Sequence, residues 1–441
     1  MSRPWATYAL LLLGFFSVLA AFPVYTPFDS KLTLPTTLSL LREGNIALDE
    51  YAPTFQVHQN GLFERDGHYC NYFPLGPSLV AVPMVALVDG FVRLVTPVGG
   101  LHPSLGRSLA HWRHLHDTTG LVDLNAWNEP QRYFASAVTA LAGVAMFVLG
   151  MSLKLSRRRA LLLSAVFVFC TPLLSTASRA LWQHGPSLLF LTLSLVCLVR
   201  ARDNPAVVGW AGLPLALAYV MRPTNGLSVL LLSLYVVWTY PRQAWRFFAS
   251  ALLVAIPWVA VNQVHYGSVL APYYEPQRLE WSSSRVAEAL AGNLVSPGRG
   301  LFVFTPVLLL SAWGLWLDVR ARTFTRLHAV LLAVVALHWF SISTFPHWWG
   351  GHSYGPRFFT DMVPYLVFFL VPVVRSLQWK GPEARRGLTA TFAVLATLNL
   401  LIHIHGASSR AVYRWNSLPL DVDEHPERLW DWADPQFLGR R

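Results

Sequence analysis

Asp29, in Tyr25-Thr26-Pro27-Phe28-Asp29-Ser30, closely follows the first apolar run of the chain. A carboxylate at the mouth of a membrane span is placed as a general base, because the low-dielectric edge raises its proton affinity. A helix cap or an interfacial charge is the plainer reading of the same position. The run Trp348-Trp349-Gly350-Gly351-His352-Ser353-Tyr354-Gly355-Pro356-Arg357 is denser in signals. Its three glycines let the backbone approach a ligand, and Trp348, Trp349 and Tyr354 can stack on a sugar face. His352 and Arg357 can take a phosphate, the arginine in bidentate fashion. An interfacial aromatic turn with a snorkelling arginine is the alternative. Ser296-Pro297-Gly298-Arg299-Gly300-Leu301-Phe302 sets Arg299 between glycines where an apolar run begins, as in a polyanion cradle at a helix N-terminus. Arg179 and His184 lie in Ser178-Arg179-Ala180-Leu181-Trp182-Gln183-His184, and Arg222 in Met221-Arg222-Pro223-Thr224-Asn225. Charges at membrane depth are costly and mark substrate or ion sites, although boundary charges also snorkel. His111, His114 and His116 with Asp117 have metal-ligand chemistry, but their spacing fits no strong motif and reads as a hydrated loop.

The elements that must hold these residues are membrane helices. Of 441 residues, 54% are hydrophobic and 13% charged, and the mean hydropathy is +0.41; a soluble chain carries about 25% charged residues. The apolar residues come in blocks, and about 20 of them span a bilayer as a helix. Strand-like alternation is absent, which argues against a β-barrel. Spans are expected near 5–22, 131–153, 160–177, 185–200, 207–221, 224–239, 247–264, 301–317, 327–345, 358–376 and 388–404, an all-α polytopic fold of about eleven helices. The run Trp5–Phe22 reads as a retained span, being long for a signal peptide and ending in a poor cleavage site. Three cysteines, Cys70, Cys170 and Cys197, give no disulfide framework.

The net charge of +11 would suggest nucleic acid in a soluble protein. Here the cations sit in short loops between apolar blocks: Lys154 with Arg157, Arg158 and Arg159; Arg200 with Arg202; Arg242 with Arg246; Arg320, Arg322 and Arg326; Lys380, Arg385 and Arg386. Every second loop is basic, which places those loops in the cytoplasm and the candidate site residues on the outer face. Leu75–Val98, apolar but for Asp89 and Arg93, tests this scheme. A full crossing there would turn the loop 154–159 outward, so the helix is expected to lie at the outer interface or re-enter. The expected organisation is then a transmembrane domain over 1–405, with a long outer loop at 23–130, and a short outer tail over 406–441.

Taken together, these residues resemble the GT-C glycosyltransferases, polytopic enzymes that use polyprenyl-phosphate sugars. The group includes dolichyl-phosphate-mannose mannosyltransferase-like enzymes, aminoarabinose transferases of lipid A and mycobacterial arabinosyltransferases. The resemblance runs over most of the chain. It rests on Asp29, the expected helix Leu34–Gly44, Tyr72-Phe73-Pro74-Leu75-Gly76-Pro77, Trp182-Gln183-His184, Arg222-Pro223-Thr224 and the two glycine-bearing motifs around Arg299 and Arg357. Each motif alone is weak; their order and shared side are more specific. The chain lacks the large C-terminal domain of many members, a size compatible with compact bacterial arabinosyltransferases acting on type IV pilins. The tandem acidic pair of some members is replaced by Asp29-Ser30.

The resemblance implies an inverting transfer at the outer face of a bacterial inner membrane. A polyprenyl-phosphate monosaccharide, arabinofuranose among the options, would be the donor, and an extracytoplasmic protein, glycan or lipid the acceptor. Asp29 would be the base, with Glu43, Asp49 and Asp66 behind it. Arg179, His184, Arg222, Arg299, His352 and Arg357 would bind the donor phosphate, and Tyr72, Trp182, Trp348, Trp349 and Tyr354 would face substrate. Some members bind divalent cations, so a metal belongs to the expectation without an assigned ligand set. A lipid-linked sugar flippase would instead show ionisable residues at mid-bilayer and symmetry-related broken helices; no inverted repeat is visible. An oligosaccharide ligase with a diphosphate-linked donor would share the outer arginines.

Overall fold

The structure is a computed structural model that describes residues 4–26, 28–55, 61–96, 112, 124–274, 283–378 and 383–439. His111, His114, His116 and Asp117 lie outside the described residues. The fold is largely helical and multi-pass. Among the described residues, six helices of 18 to 28 residues are long and apolar enough to cross a membrane: Gly76–Val95, Asn125–Ser152, Ala244–Tyr266, Arg326–Ser343, Arg357–Ser376 and Arg386–Ser408. Shorter apolar helices, Trp5–Ala21, His184–Arg200, Pro205–Met221 and Pro223–Thr239, pack among them. A helix satisfies every backbone group within itself, which is why apolar runs adopt it in hydrocarbon.

Asn128–Ser152 is central and packs on Pro4–Ala21, Arg157–Phe169 and His184–Arg200. Small residues let these backbones approach. A Cβ at Gly143 would stand 2.6 Å from Val168 and 2.9 Å from Phe15, and the Ser164 hydroxyl donates to the Gly143 carbonyl at 2.6 Å.

Several expected spans are broken. The segment expected at 301–317 forms Leu301–Phe304, a turn at Pro306–Leu308, and Leu309–Arg320. Pro306 has no N–H to continue the ladder. The segment expected at 160–177 ends its helix at Phe169 and resumes as one wide turn, Leu173–Ala177. Backbone groups freed in hydrocarbon need partners, and the helix Glu383–Ser408 supplies them. Asn399 Nδ2 donates to the Cys170 carbonyl at 3.0 Å and its Oδ1 accepts from the Val307 N–H at 3.4 Å. One turn along, His403 bridges Ser175 at 2.8 Å and Thr305 at 3.2 Å.

The basic loops gather at one end of the bundle. Lys154 pairs with Asp203 at 2.8 Å, Arg202 donates to Thr325 at 3.3 Å, Arg159 to the Leu377 carbonyl at 3.2 Å, and Arg375 to the Leu153 carbonyl at 2.9 Å. Farther along the chain from Asp29, the helix Thr33–Arg42 packs on Gly76–Val95 through Thr37 to the Ser78 carbonyl (3.1 Å) and Ser78 to the Thr33 carbonyl (3.0 Å). This is the helix expected at Leu34–Gly44. Gly76–Val95 is a single 20-residue helix, so the segment expected to lie at the interface has the length of a full crossing. A two-stranded antiparallel hairpin, Leu62–Arg65 with His68–Asn71, interrupts the otherwise helical chain. Cys70, Cys170 and Cys197 are free thiols.

Candidate functional site

A cavity of about 550 Å³ opens where Asp29, Arg222 and Arg357 meet. The short turn Phe28–Ser30 carries Asp29, and its carboxylate forms an ion pair with Arg357. Arg222 stands at the break between Gly212–Met221 and the turn Pro223–Asn225, in an extended conformation (φ −154°, ψ 127°) that the following proline favours. Pairing between Arg222 and Asp361 anchors the floor of the site, with both residues buried and Asp361 fully so.

His184 joins the two arginines. Arg222 Nη1 lies 2.7 Å from its Nδ1, Arg357 Nε lies 3.3 Å from its Nε2, and Asp361 Oδ2 lies 3.4 Å from Nδ1. A neutral imidazole has one N–H and one lone pair, and a guanidinium only donates. The tautomer with the proton on Nδ1 donates to Asp361 and accepts from Arg357. Arg222 is then served by Asp361 alone. The four charged groups therefore balance as two guanidinium groups against two carboxylates, with His184 as a neutral wedge.

Arg357 is held from three sides. Its Nη1 donates to the Gly350 carbonyl at 3.2 Å. Its guanidinium lies 4.4 Å from the centre of the Trp182 ring, whose indole N–H donates to the Thr176 carbonyl at 3.2 Å. The turn that delivers it doubles back through Gly350, Gly351 and Gly355, all at positive φ (73°, 63° and 63°), a conformation glycine adopts without a Cβ clash. At Gly355 a Cβ would also stand 2.7 Å from the Phe304 ring.

Aromatic rings form another wall. Phe73 and Tyr273 pack at 5.8 Å between centroids, and Tyr219 and Tyr274 at 5.5 Å; all four line the cavity. Gln183 Nε2 donates to the Tyr273 hydroxyl at 3.1 Å and fixes that ring. Tyr72 stands behind, edge-on to Tyr273 at 5.5 Å. Thr224 also lines the cavity, and its buried hydroxyl has no hydrogen-bond partner among the described residues.

The other expected ligands sit elsewhere. Arg179 is fully buried, and its guanidinium donates to the carbonyls of Leu19 (2.5 Å) and Phe22 (2.8 Å) and to the Ser178 hydroxyl. It closes the carbonyl end of the first helix, where a cation is favoured. Arg299 is also fully buried. It donates to the carbonyls of Gly298, Trp349 and Gly351 and to the side chains of Asn416 and Gln436, all at 2.7 to 2.9 Å. These contacts engage its whole fork. Neither arginine lines the cavity.

The expected sugar platform is packing. Trp348 and Trp349 are buried with Ala289, Trp415, Val422 and Leu429 under the tail. Tyr354 is buried against Phe304 and donates to the Ile402 carbonyl at 2.8 Å. The reserve acids are accounted for locally. Asp49 accepts from His68 at 2.6 Å and from the Tyr69 N–H at 2.8 Å, Glu43 accepts from Asn45 at 3.1 Å, and Asp66 pairs with Arg65 at 3.3 Å.

His352 lies outside the cavity lining, with Asp421 at 2.9 Å and Asp423 at 3.6 Å. Ligand atoms of the three fall within 4.8 Å of one another, and one histidine with two carboxylates is a donor set for a divalent cation. The Trp349 indole donates to Asp423 at 2.7 Å and orients it. The hydrogen bond from His352, together with the Asp423 N–H, holds the Asp421 carboxyl below its ordinary value.

Sequence reasoning passed over Asp361, the best-buried carboxylate of the site. Its signal was present, because a lone acid inside the apolar stretch Phe358–Val374 is costly unless it serves. Tyr219, inside the span expected at 207–221, and Tyr273 and Tyr274, in a segment that read as a connection, were also passed over. No protein-family model matches the chain, and no curated protein matches it.

Proposed function

We propose that the chain is a membrane glycosyltransferase of GT-C type, transferring a monosaccharide from a polyprenyl-phosphate donor to an extracytoplasmic acceptor. The observation that carries this reading is one cavity, among membrane helices, that combines Asp29, two arginines and an aromatic wall. The acceptor hydroxyl attacks the anomeric carbon opposite the phosphate, with inversion, and its proton passes to an Asp29 oxygen. The C–O bond to the phosphate breaks, and its electron pair leaves with the lipid phosphate. Arg357 and Arg222 meet the charge that grows there, an arrangement that favours the transition state over the ground state. Phe73, Tyr273, Tyr219 and Tyr274 offer faces to the sugar. Arg179 and Arg299 hold the scaffold instead of the donor.

In this reading the site faces the periplasm, because the basic loops at the far end would be cytoplasmic. About eleven helices span or enter the membrane, with Gly76–Val95 at the outer interface. A divalent cation would sit at His352, Asp421 and Asp423. The acceptor in this reading is an extracytoplasmic molecule such as pilin, a glycan or a lipid, and the sugar a monosaccharide such as arabinofuranose. A lipid-linked sugar flippase is the second reading, favoured by the fully buried Asp361 within an apolar segment.

Purified protein incubated with a radiolabelled polyprenyl-phosphate sugar and a mixed acceptor pool decides between them. Covalent label on an acceptor, lost in Asp29→Asn, is expected. Movement of label across vesicles without transfer would replace the enzyme reading by the flippase.

A further inference from the structure

The two arginines of the cavity differ in what neutralises them. Arg222 has an internal counter-ion, since Asp361 is fully buried and also within 3.4 Å of His184. That pair sits in the wall of the bundle and has no route to exchange partners without burying a bare charge. Arg357 is neutralised by Asp29, which arrives on a separate short turn and lines the cavity itself. Its remaining contacts are neutral: the Gly350 carbonyl, His184 and the face of Trp182. So Arg357 keeps its position when Asp29 leaves it, and Asp29 is its one exchangeable anion among the described residues.

We infer that Asp29 and the phosphate of the donor compete for Arg357, so that the donor itself releases the catalytic carboxylate. This rests on the glycosyltransferase reading above and adds an order of events. A carboxylate tied to a guanidinium is a poor base, because the pair favours its ionised form. A phosphate is a better partner for the planar fork of arginine, with more acceptor oxygens and bidentate geometry. Arrival of the phosphodiester at Arg357 frees Asp29 to face the acceptor hydroxyl. The charges then close on themselves. Before transfer the phosphodiester and Asp29 each carry one negative charge. Afterwards the lipid phosphate monoester carries two and Asp29 is protonated. Return of that proton to the phosphate re-ionises Asp29, which then reclaims Arg357 and helps expel the product. Donor binds first, and the carboxylate acts at both ends of the cycle.

Binding of a phosphate monoester isolates this from catalysis. Farnesyl phosphate is titrated into full-length protein in detergent, for the native chain and for Asp29→Asn and Asp29→Ala, with farnesol and inorganic phosphate as separate arms. Both variants should bind farnesyl phosphate at least tenfold tighter than the native chain while transferring no sugar. Farnesol affinity should stay unchanged, and inorganic phosphate should show the same rank order if charge alone is read. Equal or weaker farnesyl phosphate binding in both folded variants would overturn the competition and leave the transferase reading standing. No binding of farnesyl phosphate to any of the three would overturn both. Circular dichroism and gel filtration of each variant confirm that the comparison is between folded proteins.

Discussion

Asp361→Asn removes one charge from the deepest ion pair of the site. Asp361 is fully buried and Arg222 is 5% exposed, so the guanidinium left behind meets water only from the cavity side. Breaking a buried pair from one side costs about 3–5 kcal/mol, most of it the uncompensated charge. His184 Nδ1, 2.7 Å from Arg222 Nη1, can turn its lone pair toward the arginine once Asp361 no longer demands its proton, which puts the expected loss near the lower limit, about 3 kcal/mol. Replacing both partners, Asp361→Leu with Arg222→Met, removes the stranded charge and should return stability to within about 1 kcal/mol of the native chain. Transfer activity should be absent in the double variant, which lacks the proposed phosphate ligand Arg222, and reduced in the single one, where Arg222 has lost its anchor. Unfolding by sodium dodecyl sulfate in mixed micelles, followed by tryptophan fluorescence, measures the stabilities, and the radiolabel assay measures transfer. A single variant as stable as the native chain would refute the reasoning, as would a double variant no better than the single one. Either result would mean that the pair is hydrated in the folded protein.

Two further outcomes follow from contacts outside the cavity. A divalent cation held by His352, Asp421 and Asp423 should stabilise the protein by about 2.7 kcal/mol at a hundredfold excess over its dissociation constant. Thermal unfolding with and without zinc or manganese reads this, and Asp421→Asn with Asp423→Asn should abolish it; no shift in the native chain would leave His352 as an ion-pair partner only. The hairpin should open with rising pH. The hydrogen bond that His68 donates to Asp49 raises His68 above its ordinary 6.5, so its contribution is full below 6.5 and is lost as pH rises through the raised value. Burial pushes Asp49 upward, but hydrogen bonds from His68 and Tyr69 outweigh it and leave it below 3.8, so its contribution holds above 3.8 and is lost only in acid. Amide exchange over residues 62–71, corrected for intrinsic rate, should be slower at pH 5 than at pH 9; equal protection would show that the contact does not hold the hairpin.

The membrane class and the helical blocks were legible because hydrocarbon leaves the backbone few options. The meeting of Asp29, His184, Arg222 and Arg357 was legible in part, since each is an ionisable residue at the end of an apolar run. What composition could not separate is an arginine that lines a cavity from one tied up in the scaffold. Arg179 and Arg299, like Arg357, stand next to the end of an apolar run, yet their donors close a helix end and a turn. Nor could it tell which aromatics face the cavity. Trp348 and Trp349 beside glycines looked like a platform, and the tail that covers them lies some seventy residues on in the chain. The breaks at Pro306 and after Phe169 are tolerated because Asn399 and His403 reach them, and that pairing is invisible without the fold.

The caging of Arg299 has a consequence for biosynthesis. Gln436 accepts from Arg299 and from the Gly355 N–H, and donates to the Ser353 carbonyl. It is far later in the chain than every residue lining the cavity. The helices can therefore enter the membrane as they emerge from the ribosome, while the turn that carries Arg357 lacks its fastening until Gln436 has been translated. A nascent chain stalled before that point would be inserted with that turn still unfastened.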